Sequence, residues 1–521
     1  MGLMTGSTGN DTLLGTIGND TIDGLGGYDR AAIAFASSDA TFGLDALGCV
    51  VVTSAQGQDV LINVEAVDFL AERVLLVPGP SEIQVNSTPE EGQLRPSLAA
   101  VSDGGWVAVW NGYAQDGDGW GCFGQRFDSN GDRVGSEWLV NTTTAGQQVL
   151  PVVCALTDGG WVVTWASTDG DGAGIYMQRY AASGLKAGSE VRVTDTPSYR
   201  QSYPASAALA AGGWVVVWQA REQDGGSDGI YGQRFDSGGN VIGNEIRINA
   251  TTTNSQSHPR VAAVSDRGWV TTWTSADQDG SGMGVFAQRF NAAGVAVGGE
   301  VRVNTNVAGN QREPSIAGLQ DGGWVVVWTS VNQDGDGEGI YCQRYDTAGA
   351  RFGGEFRVNT TVTSDQYEPY VVGTLDGGYA IAWTSSGQDG SLDGVYAQRF
   401  SSAGAPVGGE TLINATTEGC QNQAALAVVR DGAVISAWTS GADDCEILAR
   451  EGVLRGGSLP VFIGDANDNA LHFVGGRAVD LFGDGGRDTL QGGSGDDLLT
   501  GGLGNDTLDG GAGLDHGAYG S

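Results

Sequence analysis

Lysine is all but missing from this chain: Lys186 is the only one in 521 residues. With 26 basic residues against 62 acidic ones the formal net charge is −36. Phosphate backbones and anionic membrane surfaces repel such a chain, so neither nucleic acid nor a membrane is an expected partner. Histidine is nearly as scarce. His258, His472 and His516 are the only three, which argues against a multi-histidine metal centre or a Ser-His-Asp arrangement. No apolar run reaches 18 residues, so no membrane-spanning helix and no membrane insertion is expected. Met1 to Asn10 has neither a basic leader nor an apolar core, and export without an N-terminal signal peptide is therefore the expectation.

Glycine, with 88 residues, and a fixed period are what the chain has in abundance. Glu82, Glu137, Glu190, Glu245, Glu300, Glu355 and Glu410 are each followed four residues later by Asn or Thr and then by a glutamine, at Gln93, Gln148, Gln201, Gln256, Gln311, Gln366 and Gln421. Units 53 to 55 residues long are the mark of a stacked or radial repeat. Each unit reads as four short strands. Pro96–Ser102 is the first, and an Asp-Gly-Gly turn, a strong hairpin signal, leads into Trp106–Trp110. Phe123–Phe127 and Glu137–Asn141 are the third and fourth. Trp106 and Trp110 share one face of their strand while Val107 and Val109 share the other, so the strand is buried on both sides, as in a blade between two blades.

The last unit keeps Trp438 and Ile447–Arg450 but lacks a Glu-x-x-x-Asn strand, while Glu82–Asn86 has such a strand and nothing before it. Six complete units and one split between the ends predict an all-β, seven-bladed β-propeller with split-blade closure, which removes exposed sheet edges. A linear solenoid and tandem sandwiches are the alternatives.

Near the C-terminus Gly483, Gly492, Gly501 and Gly510 recur every nine residues, with Asp488, Asp497, Asp506 and Asp515 and with Leu490, Leu499 and Leu508. The N-terminus repeats the theme in Gly6, Gly15 and Gly24, with Asp11, Asp20 and Asp29 and the apolar Leu13 and Ile22. The pattern resembles the glycine-rich RTX nonapeptide, and residues 28–76 resemble the strand-rich segment that follows it in RTX proteins. The resemblance implies calcium-binding parallel β-rolls at both ends, type I secretion and an extracellular or cell-surface location. Carboxylates and carbonyls at glycine turns are hard oxygen ligands suited to Ca²⁺. Three domains are expected: an N-terminal roll with its cap at 1–76, the propeller at 77–460 and a C-terminal roll at 461–521.

Every blade also has an acidic loop between its second and third strands. Asp116 and Asp118, Asp169 and Asp171, and Asp334 and Asp336 are candidate Ca²⁺ ligands there, and a solvated Asp-Gly turn is the structural alternative. Arg126, Arg179, Arg234, Arg289, Arg344 and Arg399 recur on the third strand and are expected to pair with the fourth-strand glutamate of the same hairpin. The recurring asparagines, such as Asn141, and the following glutamines are expected to satisfy backbone groups between blades. Among six cysteines, Cys122 and Cys154 read as buried hydrophobes. Cys420 and Cys445 lie close enough to the split blade for a disulfide to pin it.

Two carboxylates suffice for a glycosidase, but no acidic pair is seen in one blade that the others lack, so no enzyme is expected. The expected function is a secreted, calcium-binding structural or adhesive surface protein. Head-to-tail self-association of its rolls into filaments or a layer is the leading form, and a carbohydrate-binding propeller, with surface polysaccharide as partner, is the alternative.

Overall fold

A computed structural model of the chain describes residues 82–88, 92–129, 131–168, 173–195, 200–429, 432–441 and 445–451 in the centre. At the two ends it describes 2–5, 12–14, 20–23, 30–32, 40–44, 50–54, 57–62, 66–68, 73–76, 461–463, 470–473, 479–483, 485–493, 497–511 and 516–518. The chain divides into two compact units, Ser81–Gly457 and the two ends together, Met1–Pro80 with Ser458–Ser521.

The central unit holds, among the described residues, seven four-stranded antiparallel sheets, each in sequence order except the last. Their innermost strands are Gln93–Ala100, Gln148–Ala155, Gln201–Ala208, Gln256–Ala263, Gln311–Gly318, Gln366–Gly373 and Gln421–Val428. The last sheet is completed from the front of the chain: Ile83 pairs with Ala449 and Gln84 with Leu448. Val85 N–H donates to Ile447 O at 2.7 Å, and Ile447 N–H donates to Asn86 Oδ1 at 2.9 Å. This is the seven-bladed propeller with its split blade.

Burial on both faces of the second strand holds the ring together. Trp106, Ala108 and Trp110 pack on Ala425, Ala427, Ile435 and Ala437 of the last blade, which closes the circle. Val107 and Val109 on the opposite face pack on Trp161 and Trp165 of the next blade. Within a blade the first tryptophan stacks on the aromatic that ends the third strand, Trp106 on Phe127 at 3.9 Å and Trp269 on Phe290 at 5.2 Å between ring centroids. The hairpin turn leaves no room for a side chain, since a Cβ on Gly105 would lie 2.2 Å from Phe127 O. The inter-blade links are satisfied as expected: Asn141 Oδ1 accepts from Cys122 N–H at 2.8 Å, and Asn141 Nδ2 donates to Thr143 O at 2.9 Å.

The third-strand arginines differ from expectation. Arg126, Arg179, Arg344 and Arg399 pair with Asp103, Asp158, Asp321 and Asp376 of the Asp-Gly-Gly turns, and Arg289 with Asp266 at 2.7 Å. A bulge between Gly124 and Arg126 takes Glu137 out of register with the arginine. The glutamate reaches back to the preceding link instead, where its carboxylate accepts from Ser87 N–H at 2.7 Å. Blade three has Ala211 where the turn aspartate would stand, and Arg234 donates to Ala292 O and Ala293 O of the next blade. Cys420 and Cys445 are thiols rather than a disulfide, and Cys49 lies outside the described residues. Cys122 is fully buried and Cys154 partly so.

The second unit joins both ends, where two separate rolls were expected. Thr12–Leu14, Arg30–Ala32, Ala66–Asp68, Arg73–Leu76, Val461–Ile463, Asp480–Phe482, Leu498–Thr500 and His516–Ala518 follow one another in a single sheet. Its N- and C-terminal halves meet where Leu76 pairs antiparallel with Phe462 and Leu75 with Ile463. Within the C-terminal nonapeptide run parallel neighbours are 18 residues apart, Leu481 beside Leu499 and Leu490 beside Leu508, which is two nonapeptides per turn. Apolar residues of the nonapeptides, Ile22, Leu481, Leu490 and Leu499, are buried in a common core with Phe42, Leu61 and Leu471. Either end alone would present only a thin row of such side chains, and one shared core buries both.

Candidate functional site

Two places gather chemistry. The first is the roll, where the nine-residue period sets one aspartate and one glycine in each nonapeptide, hence two of each per turn. Asp488 and Asp497 are buried. A Cβ on Gly483 would lie 2.2 Å from Asp488 Oδ2 and 2.5 Å from Gly501 O, and one on Gly492 would lie 2.2 Å from Asp497 Oδ2 and 2.6 Å from Gly510 O. Glycine is thus required for a carboxylate and the carbonyl of the following turn to converge. Asp497 is held by Val479 N–H at 2.9 Å and Gly493 N–H at 2.8 Å, Asp506 Oδ1 accepts from Asp488 N–H at 3.0 Å, and Asp506 Oδ2 is buried without a hydrogen bond. Among the described residues no three His, Cys, Asp or Glu side chains gather into a metal cluster. One carboxylate per nonapeptide supplemented by backbone carbonyls fits Ca²⁺, which takes many oxygen ligands in flexible geometry. Asp11, Asp29 and Asp515 and the side chain of Asp20 lie outside the described residues.

In the acidic loops of the propeller the carboxylates serve the turns. Asp116 Oδ1 accepts from Asp118 N–H at 3.3 Å and Asp116 Oδ2 from Asn141 Nδ2 at 3.2 Å, while Asp118 Oδ2 accepts from Gly146 N–H at 3.1 Å. Asp334 Oδ2 likewise accepts from Asn359 Nδ2 at 3.5 Å and Asp336 Oδ2 from Ser364 N–H at 3.3 Å. Asp169 and Asp171 lie outside the described residues.

The second place is one that sequence reasoning missed. Two residues into every innermost strand a bulge interrupts pairing, and the residue there has positive φ: Arg95 58°, Leu150 60°, Tyr203 52°, His258 53°, Glu313 54°, Glu368 51° and Gln423 57°. Bulky residues rarely adopt this conformation, and strain of this sort gathers at functional positions. A proline follows in six of the seven cases, from Pro96 to Pro369. The neighbouring blade holds the strained backbone in place, with Leu150 N–H donating to Asn111 Oδ1 at 3.0 Å and Glu313 N–H to Thr274 Oγ1 at 3.2 Å. All seven residues line a cavity of about 370 Å³ on the propeller axis, together with Arg260 and Tyr370.

The backbone of this ring has sevenfold likeness and its side chains do not. Arg312 bridges Glu313 at 2.6 Å and Glu338, and Glu313 Oε2 is buried without a hydrogen bond. Burial, and then the nearby Glu313, raise the Glu368 carboxyl above its usual range. Burial followed by Arg260, Arg95 and Arg312 lowers His258 to about 4, so its imidazole is neutral at physiological pH. The Tyr203 and His258 rings lie 4.2 Å apart at their centroids. The arrangement offers cationic donors, carboxylate acceptors and an aromatic wall at one concave site, the mixture small-molecule sites use. The legible signal was the motif Gln-x-x-Pro, whose ends repeat while the residue before proline changes from blade to blade.

Among curated proteins none matches the chain. Solved structures similar in fold include a protein of unknown function from Dyadobacter fermentans, 10% identical over 73% of this chain and 98% of that one, with a TM-score of 0.46. The α-L-arabinanase of Penicillium chrysogenum complexed with arabinobiose is 15% identical over 71% and 98%, TM-score 0.41. The polysaccharide lyase Uly1 is 9% identical over 72% and 99%, TM-score 0.44. Residues 3–31 and 482–516 match the RTX calcium-binding nonapeptide repeat, in four copies. The two ends of this seven-bladed propeller chain are therefore RTX calcium-binding repeats, and Ca²⁺ is their cofactor.

Proposed function

We propose that this is a secreted, calcium-binding protein that attaches to carbohydrate through the axial funnel of its propeller. The observation that carries the reading is the ring of seven strained positions with seven individual side chains around one cavity. A fold that needed the bulge only for packing would tolerate one residue type in every blade. Sugars present hydroxyls that both donate and accept, beside an apolar ring face. The funnel sets arginine donors and glutamate acceptors next to Tyr203 and His258 in a volume within the range of about 300–1,000 Å³ usual for small ligands. Binding without turnover is the form proposed. The test is retention of the calcium-loaded full chain on a panel of polysaccharides in affinity electrophoresis, with analysis for released sugar. Retention by at least one polysaccharide, lost in a Tyr203→Ala/His258→Ala variant that keeps its fold, is the expected result. No retention by any of them would overturn the reading, and released product would convert it to an enzyme.

A second reading, self-association, is favoured by one feature. Among the described residues the eight-stranded sheet of the roll unit ends on Thr12–Leu14 and His516–Ala518, and unpaired edges invite further strands. Sedimentation with calcium at rising protein concentration tests it, and a constant monomer would dismiss it.

A further inference from the structure

We infer that the ligand of the axial funnel is an acidic glycan whose sugar carboxylate is held by Arg95 and Arg260, an inference that rests on the carbohydrate reading above. The argument begins with how this chain spends its few cations. In a molecule of net charge −36, five of the recurring third-strand arginines, such as Arg126 and Arg289, are already paired with a turn aspartate. Arg312, next to Glu313 in sequence, is likewise occupied by Glu313 and Glu338.

Arg95 and Arg260 are different. Among the described residues neither has a carboxylate at ion-pair distance. The guanidinium of Arg260 donates to Pro259 O at 3.1 Å and makes no further hydrogen bond there, and Arg95 is exposed at the mouth. Both line the same cavity, from the first and fourth blades, so the group they share lies across the axis. Each also lowers the proton affinity of His258, which places their charges in one local field and keeps the imidazole from adding a third. Glu313 and Glu368 act on these guanidinium groups only from beyond ion-pair distance, so their N–H groups stay open to a planar carboxylate, which matches their paired geometry.

The two glutamates of the same lining explain why the anion would belong to a sugar rather than stand alone. Glu313 Oε2 is a buried acceptor with no donor, and Glu368 stands beside it. A free carboxylate or phosphate brings no donor for these oxygens and would be repelled by them. A uronic acid residue brings both parts, its carboxylate toward Arg95 and Arg260 and its ring hydroxyls toward Glu313 and Glu368.

The test measures binding of trigalacturonate and trimannuronate to the calcium-loaded full chain by calorimetry, each beside its carboxyl-reduced neutral counterpart and a sulfated neutral trisaccharide. At least one uronate should bind about tenfold or more tighter than its reduced form, the size of one charge-assisted hydrogen bond. Arg95→Gln should erase most of that ratio, and Arg260→Gln the rest. Arg95 is exposed, so its variant folds and keeps the test decisive even if the Arg260 variant does not. Equal affinity for reduced and acidic forms would overturn the inference while leaving the carbohydrate reading intact. Preference for the sulfated sugar would overturn the carboxylate assignment, and binding of none of these by a folded protein that a neutral polysaccharide of the panel still retains would overturn the inference alone.

Discussion

His258 shows what the funnel does to a single side chain. Burial, then the charges of Arg260, Arg95 and Arg312, lower its proton affinity from 6.5 to about 4. A group whose folded pKa is depressed contributes stability that is fully present above its unfolded value and is lost as pH falls through the folded one. The window here runs from pH 6.5 down to about 4. The His258 ring proton should therefore titrate near pH 4 by NMR, and His258→Asn should flatten the loss of thermal stability across that window. A midpoint near 6.5 would mean that the ring is hydrated and the arginines are distant. Glu368 works in the other direction: its raised carboxyl costs stability as pH climbs above the ordinary value of 4.5, so Glu368→Gln should raise the melting temperature at pH 8. An unchanged or lower melting temperature would contradict its burial beside Glu313.

At the scale of elements, the split blade tests how far the ring depends on one short strand. Asn86 Oδ1 accepts Ile447 N–H and Asn86 Nδ2 donates to Thr88 O at 2.9 Å, while Glu82 accepts from Ala415 N–H at 2.6 Å and Thr416 N–H at 3.0 Å. Asn86→Ala leaves the buried Ile447 N–H without its partner, at a cost of about 1–3 kcal/mol. In urea unfolding it should lower stability at least as much as Asn304→Ala, which removes the same contact to Val285 N–H inside an intact blade. A smaller loss would mean that the N-terminal strand does not close the ring. This strand was legible in the sequence because Glu82–Asn86 repeats a pattern present elsewhere, as were the Trp and Val faces and the Asp-Gly-Gly turns. Repetition made the blades readable and hid the site. Arg95, His258, Glu313 and Glu368 occupy one register position with different chemistry, and a search for what recurs passes over them. The partner of Arg126 was misread for a related reason: strand pairing was taken as regular, and the bulge that turns Glu137 toward Ser87 has no signature in residue type.

The whole molecule consists of two units with different sources of stability. The propeller buries tryptophan against valine around a closed ring. The roll has a core of single apolar residues per nonapeptide and depends on oxygens that converge beside Gly483 and Gly492. Without Ca²⁺ those carboxylates stay buried and Asp506 Oδ2 stays without a hydrogen bond, in a chain already self-repelling at −36. All 14 tryptophans, from Trp106 to Trp438, lie within Ser81–Gly457, which gives the two units separate signals. Chelation should therefore reduce the far-ultraviolet β signal and open the ends to protease, while tryptophan fluorescence and near-ultraviolet dichroism stay unchanged. Limited proteolysis in chelator should leave a core close to 81–457, and calcium should restore protection at both ends together because they share one sheet. A tryptophan signal that moved with chelation would place Ca²⁺ in the propeller loops as well, at Asp116, Asp118, Asp334 and Asp336. Loss of protection at the C-terminal end alone would contradict the joint core of Ile22, Phe42, Leu481 and Leu499.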